Sequence, residues 1–413
     1  MTRTAAIGIV GSLVLGSTIP GCAAAPEDFD PADADAAADA ADFSDVPAEP
    51  DTGDDDLATD EGTEDTFDAA EGLSLYPLSI ISGDTWDIAS DNNNNVYVTW
   101  YSSGSLYFAE LVNHAVTGQQ LVTSGLSISK YCIPRLSVQP NGQSMSIVYA
   151  TSDRMTLKHA WRDGSGVWHT ETVVGPLSYK VYYPAGAVDG NGTVHVVYSL
   201  GVPYQKLYYT YKTSGGSWVA AIELGYPNAE GARMIVDPNG GIHVTWMPYS
   251  RIINYRYAAL GSTLDESVTQ TISGSSTMGH GGLAATHSGI VHVTPNFSRK
   301  IWHTSKTVGG GSFAGLTCPT KTEVEYTELL NNAVGADESN RVFVSWTDKV
   351  DGALCVKLSV LQDGVWTVST VDSQANTGSL ASTFPAITIT DHAGYLLWRH
   401  YDNQLYLGEY ALH

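Results

Sequence analysis

The chain has very little cysteine, no long apolar run and no helical periodicity, and each absence removes a class of protein. Four Cys among 413 residues are too few for a scaffold built on disulfides, and no Cys-x-x-Cys or His-Glu-x-x-His spacing marks a metal site. No stretch approaches the ~20 apolar residues that a helix needs to cross a bilayer. Between Glu27 and Glu71 there are 19 acidic residues and no Lys or Arg. The net charge of −24 therefore belongs mostly to that tract; the remainder holds 25 acidic residues against 19 basic ones once Arg3 is set aside. No basic stripe or basic aromatic-rich strand exists to bind nucleic acid. What is plentiful is Gly, 41 residues, alongside 10 % aromatics and 43 % hydrophobics. That is ample core material interrupted by many tight turns.

Three segments differ in composition. Residues 1–21 pair one positive charge, Arg3, with the apolar run from Ala5 to Leu15 and then small residues, the pattern of an export signal. The run closes on Ile19-Pro20-Gly21-Cys22, which resembles the bacterial lipobox, with Pro20 as a departure from it. That resemblance implies lipidation at Cys22, attachment to the membrane by a lipid anchor only, and, with Ala23 following, sorting to the outer membrane or cell surface. Residues 22–72 are Ala, Asp, Glu, Pro, Thr and Gly with little to bury, so they are expected to form an extended acidic linker. Residues 73–413 are expected to fold.

Within 73–413 one pattern recurs seven times: a turn residue, usually Asp, then Gly or Asn, then an alternating apolar strand that ends in an aromatic. Two instances are Asp189-Gly190-Asn191-Gly192-Thr193-Val194-His195-Val196-Val197-Tyr198 and Asp237-Pro238-Asn239-Gly240-Gly241-Ile242-His243-Val244-Thr245-Trp246. The pattern ends at 100, 149, 198, 246, 295, 346 and 398, steps of 48 to 52 residues. Strand alternation at a period near 50 predicts an all-β, seven-bladed β-propeller with four strands per blade. A third strand rich in Tyr and Leu and a fourth often opened by Trp168, Trp218 or Trp366 complete the unit. The seventh unit has no fourth strand after Tyr410, so the segment Ser79–Gly83 is expected to supply it and close the ring.

Repeats separate structural columns from outliers. His195, His243 and His292 share a column with Tyr97 and Phe343, which marks them as structural rather than as a metal set. On the innermost strand one column reads Asp87, Arg135, Ala185, Arg233, Gly282, Ala333 and Ala386. Four small residues suit the crowded axis, and three charges there must be paired or wet. With Tyr183 and His280 just upstream, the Arg pair forms a candidate site for an anionic ligand; the alternative is a structural Asp87–Arg135 ion pair. A second candidate set of ligand-binding residues follows the terminal aromatics: Tyr101, Tyr204, Tyr249, Arg251, Arg299 and His400. Apart from Cys22 there remain Cys132, Cys318 and Cys355, so one disulfide at most can form, with Cys318 and Cys355 in adjacent units as the candidate pair.

Across 73–413 the repeat around Val188–Tyr198 resembles bacterial propellers of the sialidase-like or BNR type, and also propeller lectins and ulvan-type polysaccharide lyases. The Asp-box of the sialidases, Ser-x-Asp-x-Gly-x-Thr-Trp, is absent from every unit. The resemblance implies a monomeric surface protein whose partner is an extracellular glycan or acidic polysaccharide, bound through the central funnel. If it is an enzyme, the lyase resemblance implies Tyr183 or His280 as base with Arg135 and Arg233 neutralising a uronate. A protein-interaction scaffold is a third reading. The residues specify no cofactor.

Overall fold

A computed structural model describes residues 73–81, 85–128, 132–201, 206–225, 229–248, 252–272, 279–297, 299–320, 324, 332–350, 353–373, 385–400 and 404–412. They form seven antiparallel sheets of four strands each, and a three-residue 3-10 turn at Leu264–Glu266 is the sole helical element among them. The innermost strands are Thr85–Ser90, Arg135–Val138, Val181–Val188, Glu230–Val236, Gly279–Ala285, Ala333–Ala336 and Ala386–Ile389, and each touches the next around a closed ring. This is the seven-bladed β-propeller that the repeat predicts.

The ring closes as expected, with a longer strand than expected. Leu73–Ile81 pairs with Gln404–Ala411 in blade 7, from Leu73 opposite Tyr410 to Pro77 opposite Tyr406, then shifts register to place Ile81 opposite Gln404. The expected segment, Ser79–Gly83, began downstream of Pro77. Proline is tolerated there because the strand is the outer edge of its sheet and the ladder shifts register directly after it.

The Asp-Gly turns recur for a physical reason. In blades 1, 3, 4 and 6 the turn Asp is buried, and its Oδ1 accepts the backbone N–H groups two and four residues on. Its Oδ2 faces a donor from its own turn or from the second strand: Asn95 and Tyr97 in blade 1, His195 in blade 3, His243 in blade 4, Arg341 in blade 6. So His195 and His243 of that column are structural. In blade 5 the same turn is held by Thr286, whose Oγ1 accepts from Ile290 N, and in blade 7 by Thr390, whose Oγ1 accepts from Ala393 N. In these two units the turn residue is thus Thr rather than Asp. A hydroxyl can stand in for the carboxylate because it too accepts hydrogen bonds from a turn.

The outer tryptophans join neighbouring blades. Trp168 stands edge-on to Phe108 at 5.2 Å, Trp218 to His159 at 5.6 Å and Trp366 to His303 at 5.4 Å, each reaching back to the preceding blade. Such pairs contribute about 1 kcal/mol each beyond their buried area. Cations also reach back to the preceding blade, the first two beside the Trp168 and Trp218 junctions and the third between blades 4 and 5: Arg162 reaches Glu110 at 3.2 Å, Lys212 reaches Glu171 at 2.6 Å, and Lys306 reaches Gln270 at 2.5 Å. Only the last lacks a carboxylate, and burial pulls the Lys306 ammonium below the usual lysine range. Gln270→Glu is therefore expected to stabilise the fold by about 1 kcal/mol, read as a rise in thermal midpoint of a few degrees. No change or a fall would show that the site tolerates no second charge.

The cysteine expectation is corrected. Cys132, Cys318 and Cys355 are all free thiols. Cys355 is buried in the third strand of blade 6, whereas Cys318 is half-buried with its thiol 3.4 Å from the Thr320 hydroxyl. Burial pushes the thiols of Cys132 and Cys355 up, to about 12 and about 11, so neither is a ready nucleophile.

Candidate functional site: the axial cavity

The outlier column holds its register in three dimensions. Asp87, Arg135, Ala185, Arg233, Gly282, Ala333 and Ala386 lie opposite Thr99, Val148, Val197, Thr245, Thr294, Ser345 and Leu397, in each blade the residue just before the terminal aromatic position. All seven line one cavity of about 630 Å³ on the axis. The small residues are needed: a Cβ on Gly282 would come within 2.8 Å of Val334 in the next blade.

Three charges share this ring. Asp87 Oδ2 accepts the Leu136 backbone N–H at 2.9 Å, while its Oδ1 stands 3.5 Å from a terminal nitrogen of Arg135. That separation is long for a charge-assisted bond, which is ordinarily near 2.8 Å. Arg135 Nε is buried with no partner. Arg233 contributes to no ion pair within 4.0 Å among the described residues, although Asp87 and Tyr183 both act on it electrostatically. Burial, then the Arg135 charge, pull the Arg233 guanidinium well below the usual arginine range. Burial also raises the Asp87 carboxyl, against the opposing pull of Arg135, the Leu136 and Ile88 N–H groups and Arg233. The ring carries a net positive charge that its own carboxylate compensates poorly.

The approach to this ring is bent in three consecutive blades. The inner strands of blades 3, 4 and 5 shift register between Tyr182 and Ala185, Glu230 and Arg233, and Gly279 and Gly282. The shifts in blades 3 and 4 each contain a left-handed residue, Tyr183 at φ 49° and Gly231 at φ 55°. Glycine adopts that conformation freely, but tyrosine does so at a cost of about 1 kcal/mol, which the surrounding sheet must hold. Bulges of this kind re-aim side chains beside functional sites. In blade 5 the space is braced by Asn332, whose Oδ1 accepts from Gly282 N at 2.8 Å and whose Nδ2 donates to Asn296 Oδ1 at 2.6 Å.

At the other end the cavity is strapped. Asn92 N donates to Pro140 O of blade 2 at 2.8 Å, Asn92 Nδ2 to Pro238 O of blade 4 at 2.9 Å, and Asn94 Nδ2 to Asp391 Oδ2 of blade 7 at 3.3 Å. The sequence reading passed over this feature, though four consecutive asparagines from 92 to 95, where blades 3 and 4 have a single Asn before Gly, were the available signal.

Of the proposed site residues, the structure brings Asp87, Arg135 and Arg233 together on the cavity wall, with Tyr183 coupled to Arg233. His280 falls in the inner strand of blade 5 but its side chain lies outside the described residues, as do Tyr204, Tyr249, Arg251 and Cys22 altogether. Tyr101 belongs to the core: its strand runs on to Ser102, it is 9 % exposed, and its hydroxyl donates to Leu126 O. His400 sits away from the axis, 2.6 Å from Asp372 of blade 6, whose carboxylate also accepts from Trp398. Arg299 is exposed in a turn and its Nε faces Val324 O at 3.4 Å.

One further constellation looks catalytic and is not. Ser146 Oγ lies 2.9 Å from His159 Nε2, and His159 Nδ1 lies 3.1 Å from Glu171. Ser146 and His159 are 1 % and 2 % exposed, which denies a substrate access. They also occupy the positions that pair His195 with Tyr209 and His243 with Tyr255 in the next two blades. Its relay geometry is a packing motif of the repeat.

No protein-family model and no curated protein matches the sequence. Solved structures with a similar fold include a lectin from Burkholderia pseudomallei, 15 % identical with a TM-score of 0.55, over 79 % of this chain and 95 % of that one. An ulvan lyase bound to a glucuronate–3-sulfated rhamnose repeat is 11 % identical with a TM-score of 0.53, over 81 % and 95 %. A streptogramin B lyase is 10 % identical, also at 0.53, over 83 % and 99 %. At such identities the likeness establishes the fold alone. Fold and site together define the class: a seven-bladed β-propeller with a charged axial cavity.

Proposed function

We propose that this propeller binds an extracellular glycan or glycoconjugate in its axial cavity and is displayed on the cell surface by a lipid at Cys22 and the acidic linker 22–72. The observation that carries the reading is the ring itself, two arginines and one carboxylate among four small residues around one space of about 630 Å³. That volume suits one or two sugar units. The similar folds of a lectin and a polysaccharide lyase support the reading without deciding between binding and turnover.

The second reading, a lyase acting on an acidic polysaccharide, is favoured by one observation. Tyr183 is held in a left-handed conformation and acts on Arg233, so a phenol and a guanidinium share one region. Uronate elimination needs a base of this kind beside a group that neutralises the carboxylate.

A glycan array probed with the full chain, with ultraviolet absorbance of unsaturated product read in parallel, tests both. Arg233→Ala is expected to weaken glycan binding by tenfold or more with little change in thermal midpoint. Absorbance growth in the wild type, abolished by Tyr183→Phe, selects the lyase. If Arg233→Ala and Arg135→Ala leave every detected affinity intact, the axial cavity is not the site.

A further inference from the structure

We infer that the axial ring grips its ligand through one singly charged oxyanion, a carboxylate or sulfate ester on the sugar, and that Asp87 couples this grip to the uptake of a proton. The inference rests on the glycan reading above and adds the chemistry of the recognised group and its regulation.

The charge balance comes first. Arg135 and Arg233 bring two positive charges to the ring and Asp87 one negative, while Ala185, Gly282, Ala333 and Ala386 bring none. With Asp87 ionised the ring holds one positive charge in excess, and with Asp87 protonated two, so an oxyanion is attracted in either state. The free donors agree with it: Arg135 Nε is buried without a partner, and Arg233 has no ion pair among the described residues. A three-atom oxyanion face between the two guanidiniums would satisfy both, in the forked geometry that arginine offers to carboxylate and sulfate. A neutral sugar could offer these donors a hydroxyl oxygen but no charge, and would leave the excess positive charge of the ring uncompensated.

Asp87 decides how binding responds to pH. Its Oδ2 is committed to Leu136 N, and its Oδ1 is only loosely held by Arg135 at 3.5 Å. The charged groups facing it are Arg135 from blade 2 and Arg233 from blade 4; Tyr183 of blade 3 acts on Arg233, and blade 7 presents Ala386 and Ile387 to the cavity. An oxyanion drawn onto the guanidiniums screens Asp87 from the charges that keep it ionised and repels its carboxylate. Both effects favour the protonated form, whose O–H can then donate to the ligand. The bound state thus holds the proton more tightly than the free state. Affinity must rise as pH falls through the window between the two, by at most tenfold per pH unit.

The experiment is titration calorimetry of the full chain from pH 5 to pH 8 with methyl glucuronide, a sulfated methyl galactoside, methyl glucoside and inorganic sulfate. At least one anionic sugar is expected to bind tenfold or more tightly than methyl glucoside, with affinity rising at lower pH; the uronide and sulfate-ester arms tell which source the site prefers. Asp87→Asn is expected to bind with a flat profile, at the affinity toward which the wild type rises as the pH falls. Should that variant not fold, the wild-type profile decides: an affinity that is flat or falls with acid overturns the inference, as does equal binding of the neutral sugar. Glycan binding without anion preference sinks the oxyanion site and leaves the glycan reading standing. Inorganic sulfate binding with the acid-dependent profile, and no sugar binding, does the reverse.

Discussion

A chain that starts at residue 85, without Leu73–Ile81, is expected to lose its cooperative thermal transition or to unfold more than 10 °C lower. The deleted strand is the outer member of blade 7, and its loss exposes the backbone groups of Gln404–Ala411 along one edge. Leu78, 2 % exposed, packs in one cluster with Trp86 and Trp100 of blade 1 and Leu405 and Leu407 of blade 7. Tyr76 stacks on His114 of blade 1 at 3.8 Å, and His114 pairs with Glu409 of blade 7. The strand is therefore the seam that joins the first blade to the last. Burying one leucine contributes about 2 kcal/mol, and each ladder hydrogen bond about 1 kcal/mol net. Together they rival the ~5–15 kcal/mol that separates most folded domains from their unfolded chains. Circular dichroism melts of the truncated and full chains decide the matter, and adding a peptide of residues 73–81 should recover part of the transition. Leu78→Ala alone is expected to cost about 3 kcal/mol. A truncated chain that melts like the parent would mean that the ring stays closed by blade-to-blade packing alone.

The same seam shows how far sequence could carry the fold. Seven copies of one motif predicted seven sheets, and the register of the inner column matches in each blade, because strand alternation and turn residues are local properties that repeat. Thr286 and Thr390 escaped because the signal was an Asp, whereas the turn requires only a side-chain oxygen that accepts from a backbone N–H. The roles of Trp168, Trp218 and Trp366 escaped because each acts on the preceding blade, a relation that no single unit contains. Of the candidate site, Asp87, Arg135 and Arg233 were legible as charges in a column of small residues, since burial at the axis makes a charge anomalous. Tyr101 misled because it follows the terminal aromatic, where a loop was expected, while its strand continues two residues further. Residues outside regular strands have no sibling positions against which to be judged, and there the comparison loses its power.

Blade 5 is expected to make the protein acid-sensitive between pH 6.5 and pH 5. His292 Nδ1 lies 3.0 Å from His303 Nε2, and His303 Nδ1 lies 3.3 Å from the Thr317 hydroxyl, while His292 Nε2 is buried with no partner. In blades 3 and 4 the corresponding Nε2 faces a turn Asp and the corresponding Nδ1 faces a tyrosine hydroxyl. Blade 5 has Thr286 and His303 in those places, so no carboxylate is there to stabilise an imidazolium. Burial holds both imidazoles well below the usual histidine range, and His303 lowers His292 further. The sign follows from linkage. Above pH 6.5 the folded and unfolded states both hold these histidines neutral. Below it the unfolded chain takes up protons that the folded pair refuses, so stability falls with pH. At about 1.4 kcal/mol per unit for each group, the pair can remove roughly 4 kcal/mol between pH 6.5 and pH 5. Thr286→Asp combined with His303→Tyr would rebuild the arrangement of blades 3 and 4, giving His292 a carboxylate and deleting its partner imidazole. Urea unfolding midpoints from pH 7.5 to pH 5 should then decline less steeply in the double variant than in the parent. Other buried histidines, His159 and His243 among them, contribute to both proteins alike and cancel in the difference. Parallel declines would mean that the His292–His303 pair opens to solvent and titrates freely in the folded state.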